Sequence, residues 1–515
     1  MHSDPETRER RAVRLGLAGA VLAFLVLAGV QAAAVRPYLP PDELYHVGYA
    51  VTVLDGRLPT LSSPLPADRV PLMPDDGAPR RIYVANHPPL FYAVSALPLE
   101  LGERFGTPRA GLLAARLLSA TLAAGGLVMV AWLALVLVPD RPRVAVGAAW
   151  LAGLLPSLPH VSAFVYNDGL GFLAASAALV AAAIVVRRGP TLARLAGLAT
   201  AAAAAALTRA PGLALVVVAG VAAMAGVLLH GRRPPAGRLL LAAGRVALVA
   251  GVAGGLAIGF YLRNRSLYGS LTGAAYNQRL FGFQPQDHVL ALLRSPAYGL
   301  RLYDGLWVWT RFNLPQVPAV PALVAAPRVI GLLAVAGLAV FAADRLRGRR
   351  RGGRDLPAVA AWAIVLAWPV AVFAMVAVYD GHGGHTHPRY LFPALAVFAV
   401  AATLGLDRLP GARHGRWVAG GALAQLVLTG AAWGGFLTAL DGRRPDGPVA
   451  LLGGIAGLLV AGGVRWPAVV LGLAGALLVS AFGLLAAAVT LLAPPRPEAL
   501  PQKGRAPALE LSDAP

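Results

Sequence analysis

The sequence predicts an all-α, polytopic helical membrane protein, from its composition, the spacing of its apolar runs and the placement of its arginines. Hydrophobic residues fill 57% of the 515 positions, charged residues only 13%, and the mean hydropathy is +0.65. That is too apolar for an ordinary soluble chain, whose length alone would suggest about three domains. Apolar stretches long enough for a hydrocarbon core, which needs about 20 residues per helix, recur between short Arg clusters. The 45 Lys+Arg outnumber the 24 Asp+Glu to give a formal charge of +21. In a soluble protein this excess would suggest nucleic acid. Between apolar runs it sets orientation instead, so no nucleic-acid partner is expected. The chain has no Cys, which excludes disulfides and Cys-based metal or nucleophile chemistry.

The first apolar run, 13–35, has Arg8, Arg10, Arg11 and Arg14 around its start, which places the N-terminus in the cytoplasm. A cleaved signal peptide is the alternative, because Ala32 to Ala34 resembles a cleavage site, but the run exceeds a usual signal core. Further spans are predicted at 111–138, 144–164, 169–186, 192–207, 212–229, 239–262, 322–343, 357–378, 391–406, 417–440, 449–464 and 467–492. The expected total is roughly 11–13 transmembrane helices. The Pro156/Pro159-interrupted span and the Ala-rich run before Thr208 are the irregular ones.

An N-in start makes alternate loops cytoplasmic, and those loops carry the Arg excess: Arg141 and Arg143, Arg187 to Arg194, Arg232 to Arg238, Arg345 to Arg354, and Arg408 to Arg416. Two outer loops, about 36–110 and 263–321, exceed simple turns and should be folded. The first is Pro-rich and contains an amphipathic segment at 90–101, expected at the membrane surface. The second is rich in aromatics, including Tyr276, Phe281, Phe283, Trp307, Trp309 and Phe312. The expected organisation is a cytoplasmic tail at 1–12, a membrane domain at 13–406, additional helices at 407–493 and a flexible tail at 494–515.

The residue types able to carry chemistry gather at the predicted outer ends of helices. Pro40-Pro41-Asp42-Glu43-Leu44-Tyr45-His46 follows the first span. Two carboxylates at a membrane boundary must be solvated, paired or used, although acids after Pro also simply favour a helix start. One of them has the chemistry to take a proton from an acceptor, with His46 one turn on to orient it or bind a metal. Asn86-His87-Pro88-Pro89-Leu90-Phe91-Tyr92 reads as a loop-to-helix junction that also offers Asn86 and His87. Asn167 and Asp168 sit in a short outer turn, ordinary turn chemistry that would also deliver a second acid to the same face. The stretch from Tyr379 to Pro393 holds His382, His385 and His387, a possible divalent-metal set, followed by Arg389 and Tyr390. Arg389 suits either lipid head groups or a bidentate phosphate clamp. Arg209, Arg263 and Arg265 fall outside against the charge bias and need an acid or a lipid phosphate as partner. No P-loop or dinucleotide fingerprint occurs in a suitable context.

Pro-Pro-Asp-Glu-x-x-His after a first helix, His-Pro-Pro-Leu-Phe-Tyr, an outer Asn-Asp and a late Arg-Tyr-Leu-Phe-Pro, in that order, resemble the GT-C superfamily of membrane glycosyltransferases. The similar groups are the domain-of-unknown-function family 2142 and the protein mannosyltransferase and aminoarabinose-transferase type. The resemblance runs from about 13 to 406. It implies transfer of a sugar from a polyprenyl-phosphate donor to an extracytoplasmic envelope glycan, lipid or protein. Carried onto this chain, it implies Asp42 as base, Glu43 as its neighbour or a metal ligand, Asp168 as second acid and Arg389 on the donor phosphate; Arg263 and Arg265, from their own outer placement, are expected as further phosphate partners. The alternatives are a transporter or flippase of lipid-linked sugars and a non-catalytic envelope scaffold. The expected partners are membrane lipids, donor and acceptor, and the expected location is the cell membrane with an outward-facing site. Single cysteines introduced at Ser62 and Arg349 should react with impermeant maleimide from opposite sides of the membrane; labelling from one side would overturn the topology.

Overall fold

A computed structural model describes residues 5–74, 78–284, 288–308, 321–348, 355–385, 387–409, 416–441, 447–461 and 464–492. Trp309, Phe312, the Arg349 to Arg354 run and the expected tail lie outside the described residues. The chain is all-α. Its helices are α1 (Pro5–Ala34), α2 (Glu43–Leu54), α3 (Leu90–Arg104), α4 (Pro108–Leu137), α5 (Pro142–Gly153), α6 (Ser157–Ser162), α7 (Asp168–Arg188), α8 (Leu192–Ala206), α9 (Gly212–His230), α10 (Pro235–Tyr268), α11 (Ala274–Leu280), α12 (Val289–Arg294) and α13 (Pro296–Gly305). Then follow α14 (Pro321–Gly348), α15 (Leu356–Gly381), a 3-10 turn (Pro388–Ala394), α16 (Leu395–Asp407), α17 (Arg416–Asp441), α18 (Pro448–Ala461) and α19 (Trp466–Leu492). Among the described residues, the extended pairing is one isolated antiparallel bridge between Pro64 and Arg81.

Every predicted span meets a helix, and nine helices among the described residues are long and apolar enough to cross a membrane. Proline marks the starts of α4, α5 and α10, where its missing N–H would be unpaired in any case. The differences from expectation have local causes. Span 144–164 breaks into α5 and α6 because Pro156 can neither donate to nor fit within a continuing helix. The Leu154 carbonyl freed by the break accepts from Gln425 Nε2 at 2.8 Å and Thr429 Oγ1 at 2.5 Å, both on α17. This is the internal satisfaction that a water-free environment demands. The expected span 391–406 opens as a 3-10 turn around Pro393, whose carbonyl accepts from Trp368 Nε1 at 2.9 Å. α8 has 15 residues, about 22 Å of helix, and so falls short of a full hydrocarbon crossing. α10 continues to Tyr268, which puts Arg263 and Arg265 on its last turns rather than in a loop.

The main core is formed by the buried faces of α1, α4, α5, α7, α8, α15 and α16, and a second cluster fills the space beneath the first large loop. α4 and α7 approach closely where Gly169 faces the Ser119 carbonyl; a Cβ there would lie 2.6 Å from that oxygen. In the second cluster, Val47, Tyr49, Leu61, Ile82, Phe91 and Tyr92 weld α2 and α3 to the intervening loop, so this region is folded as its length predicts. The expected amphipathic segment is α3, with Phe91, Tyr92, Ala96 and Leu99 inward and Val94, Leu97 and Leu101 exposed.

A buried ion pair fastens the two cores together. Glu43, fully buried, receives Arg116 Nε at 2.7 Å and Nη2 at 2.6 Å. Arg116 also donates through Nη1 to the Ala32 and Val35 carbonyls, both at 2.7 Å, and so closes the end of α1. The Tyr38 and Val165 backbone N–H groups complete Glu43, each at 3.2 Å. At the other end of the bundle, Asp407 receives Arg141 Nη1 and Arg143 Nε, each at 2.6 Å, which joins the α4–α5 turn to the end of α16. Arg116→Met should destabilise the protein by about 3–5 kcal/mol, because it strands a buried carboxylate. Adding Glu43→Gln should recover part of that loss in thermal unfolding in detergent. A melting temperature unchanged in the single variant would contradict the role given to the pair.

Candidate functional site

Asp42 precedes the first residue of α2, but its side chain accepts nothing from the helix it begins. The carboxylate turns instead into a partly closed space, 21% exposed. Its Oδ1 accepts from Tyr83 Oη at 2.5 Å and its Oδ2 from Arg389 Nη2 at 2.5 Å. A helix-start acid standing in water would show neither partner.

Three other elements deliver the remaining charges to the same place. Asn167 stands just before α7, which sets Asp168 in the first turn, and its side chain makes no cap bond to the helix; Asn167 Nδ2 donates instead to the Thr208 carbonyl at 3.3 Å. That link carries the next residue, Arg209, onto Asp168 Oδ1. The 3-10 turn carries Arg389, whose Nη1 lies 3.8 Å from Asp168 Oδ2. The result is an alternating row, Asp42, Arg389, Asp168, Arg209, with two negative and two positive groups. Aromatic faces frame it: Arg389 lies 5.2 Å from the Tyr166 ring, and Arg389 and Arg209 lie 5.9 and 5.6 Å from Tyr390. Such contacts stabilise guanidinium groups removed from water.

His46 and His87 stack beside the row with centroids 6.2 Å apart, and His46 Nδ1 is hydrogen-bonded to Tyr92 Oη at 3.0 Å. Burial pushes the His46 pKa down to about 4, with Asp42 opposing and Arg389 reinforcing the shift. His87 is likewise lowered, chiefly by burial and then by Arg209. Both are therefore neutral near pH 7. Burial works against ionisation of Asp42, yet Arg389 and the Tyr83 hydroxyl outweigh it and hold the carboxyl below the usual carboxylate range. Tyr83 is raised by burial and by its acidic neighbour, so it stays a hydrogen-bond donor.

Of the residues singled out in the sequence, Asp42, Asp168, Arg389, His46, His87, Asn167 and Tyr390 come together here. Glu43 is joined to Arg116 rather than to the row around Asp42. Its two oxygens already accept from Arg116 and from two backbone N–H groups, which leaves it no capacity for a metal. Arg263 donates through Nη2 to the Leu58 and Pro59 carbonyls at 3.0 and 2.8 Å, so it ties α10 to the first loop instead of facing the acids. Arg265 points outward, exposed on α10. Asn86 is a cross-loop tie: its Nδ2 donates to the Thr272 carbonyl at 2.9 Å and its carbonyl accepts from Asn264 at 3.0 Å. The three loop histidines meet different partners. His382 Nδ1 meets the Val378 carbonyl at 2.6 Å, His385 stacks on Phe283, and His387 Nδ1 accepts from the Arg389 N–H at 3.3 Å. Among the described residues no group of three or more His, Asp or Glu is placed to hold a metal ion. The metal expectation for His382, His385 and His387 is corrected accordingly.

Two contributors, Arg116 and Tyr83, escaped the sequence expectations, and a third, Arg209, was expected to need an acid or a lipid phosphate but was not matched to one. Arg116 was visible as a lone cation inside a predicted span, a position that calls for a partner. Arg209 was marked as misplaced but had no acid assigned to it. Tyr83 lies in the first loop with no motif around it.

Solved structures similar to this chain include ArnT from Cupriavidus metallidurans bound to undecaprenyl phosphate, with 18% identity, a TM-score of 0.47, and coverage of 92% of this chain and 76% of that one. The archaeal oligosaccharyltransferase AglB from Archaeoglobus fulgidus, in complex with an inhibitory peptide and a dolichol-phosphate, matches with 14% identity and a TM-score of 0.42 over 83% of this chain and 58% of that one. A complex of the Archaeoglobus fulgidus oligosaccharyltransferase with Zn and sulfate matches at 16% identity and a TM-score of 0.43, over 83% of this chain and 56% of that one. No family model matches, and no curated protein matches.

Acidification should loosen the site. Below pH 6.5 an unfolded His46 takes a proton that the folded ring refuses until about pH 4, so stability falls as pH drops across that interval. Asp42, with its folded pKa lowered, stabilises above the ordinary carboxylate range and loses that contribution at still lower pH. His46→Gln should remove about 3 kcal/mol of the pH 7 to pH 4 loss, read from melting curves at the two pH values. An identical loss in variant and parent would refute the assignment.

Proposed function

We propose that the protein is a membrane glycosyltransferase that moves a sugar from a polyprenyl-phosphate donor to an acceptor on the outer face of the cell membrane, with Asp42 as general base. The observation that carries this reading is the division of the Asp42 carboxylate, one oxygen toward Arg389 and the other toward the Tyr83 hydroxyl. A cation-paired acid at a helix end, beside a second acid and a second arginine, has the parts that group transfer from a phosphate requires. The sequence resemblance to GT-C enzymes points the same way.

In the proposed reaction an acceptor O–H or N–H gives its proton to Asp42. The acceptor atom bonds to the anomeric carbon as the bond from that carbon to the phosphate oxygen breaks, and the lipid phosphate leaves with the electron pair. Attack from the face opposite the phosphate inverts the anomeric centre. Arg389 and Arg209 stabilise the departing phosphate, and Asp168 holds both guanidinium groups in place beforehand. Donor binding also tunes the base. A phosphate that draws Arg389 away removes the cation that depresses the Asp42 pKa, so the carboxylate becomes a stronger base once the donor is present. Among the described residues no group of three or more His, Asp or Glu is placed to hold a metal ion, and both Glu43 oxygens already accept from Arg116 and two backbone N–H groups.

The site also bears on the transporter alternative. Transport sites place ionisable groups near the membrane midplane, whereas Asp42, Asp168, Arg209 and Arg389 stand at helix ends. In proteoliposomes supplied with polyprenyl-phosphate sugar, Asp42→Asn should cut transfer about 100-fold to 10,000-fold while retaining lipid-phosphate binding. Arg389→Gln should weaken that binding. Full transfer by Asp42→Asn would overturn the base assignment, and lipid-linked sugar crossing between leaflets with no product would favour the flippase. Mass spectrometry of envelope glycans from a strain lacking the protein would identify the product.

A further inference from the structure

Asp42 has two sides, and only one of them faces cations. Beyond the Tyr83 hydroxyl on the Oδ1 side runs a series of rings. Tyr45 and Tyr83 lie with centroids 4.2 Å apart, Phe281 meets Tyr83 edge-on at 5.1 Å, Phe283 stacks on Phe281 at 5.6 Å, and His385 stacks on Phe283 at 5.4 Å. The inner two are half-buried, whereas Phe281 and Phe283 are 48% and 38% exposed. The series therefore connects the outside directly to the carboxylate.

We propose that Tyr45, Tyr83, Phe281 and Phe283 form an acceptor subsite that stacks neutral sugar rings, so that the acceptor is a glycan. This rests on the transferase reading above. Three observations favour a sugar. The strip begins at the Tyr83 hydroxyl on Asp42 Oδ1, while Arg389 holds Oδ2 and Arg209 lies beyond it on Asp168, so the cations that suit the donor phosphate stand on the other side of the carboxylate. Tyr45, Tyr83, Phe281 and Phe283 carry no charge, so nothing in them selects a phosphate or a carboxylate. The outer end of the strip is also half-open, with Phe281 and Phe283 48% and 38% exposed, rather than a closed apolar groove. That suits a ligand with one C–H face to bury and a rim of hydroxyls to leave in water, and suits an acyl chain poorly.

The full-length protein in nanodiscs can be tested by saturation-transfer NMR with soluble probes: mannotetraose, cellotetraose and a linear arabino-tetraose. At least one should receive saturation at its ring C–H protons in both the parent and Asp42→Asn. Replacing Phe281 and Phe283 together by Ala should weaken binding at least tenfold. The Tyr pair should restore it, and the Leu pair should not. Binding retained by the Leu pair, or no saturation of any probe by the parent, would overturn the proposal. Undecaprenyl-phosphate binding, measured in parallel, should be unchanged in all three pairs; its loss in the Ala pair would show general damage at the site and also count against a separate acceptor strip. Probe binding unaffected by the Ala pair, with transfer still dependent on Asp42, would sink the strip and leave the transferase standing. Probe binding lost in the Ala pair, with no sugar transfer by the parent from any polyprenyl-phosphate donor, would do the reverse.

Discussion

The Glu43–Arg116 pair is the constraint on which the rest of the acid-bearing end depends. A carboxylate and a guanidinium removed from water are costly unless every donor and acceptor is matched, and here the matching partners come from four different places: the end of α1, the start of α2, the body of α4 and the segment before α7. Satisfying one buried pair thus fixes how four chain segments meet. Asp42 and Asp168 lie one residue and three residues from two of those fixed points, Glu43 and Val165. Their separation is set by a pair that itself takes no part in the proposed chemistry.

Adjacent acids with opposite duties explain why Asp42 and Glu43 were hard to separate in the sequence. Both follow Pro-Pro, both stand at a membrane boundary, and charge alone does not distinguish them. Direction does: one side chain turns to a buried arginine and saturates, while the other reaches a tyrosine and an arginine that also neighbours Asp168. An acid with all acceptor positions filled is a structural element. One whose cation can be drawn away by a competing anion can change its basicity.

Much of the fold was legible because lipid imposes a simple rule on sequence: long apolar runs with arginines between them. Each predicted span met a helix, and the loop at 36–110 proved folded, as its length and prolines suggested. The order of Asp42, Asp168 and Arg389 along the chain was also visible, though not their convergence. Hydropathy could not show the bend at Pro156 as two helices, because a bend in lipid depends on what satisfies its carbonyl, and that partner lies on α17. Nor could composition separate a histidine cluster in sequence from one in space. His382, His385 and His387 are spaced so that each meets a different neighbour. Tyr83 was invisible for a related reason, since its importance comes from a contact 41 residues away in the chain.

The bend between α5 and α6 carries a consequence for how the molecule is made. The Leu154 carbonyl enters the membrane early in synthesis, yet the Gln425 amide that satisfies it follows 271 residues later. Until α17 has been inserted, that oxygen needs a temporary partner, from water or from the insertion machinery. The α5–α6 bend is therefore completed only once α17 is in place, although its own residues leave the ribosome well before that helix. α17 follows the acid-bearing helices in chain order, but it acts as the closing piece of their assembly.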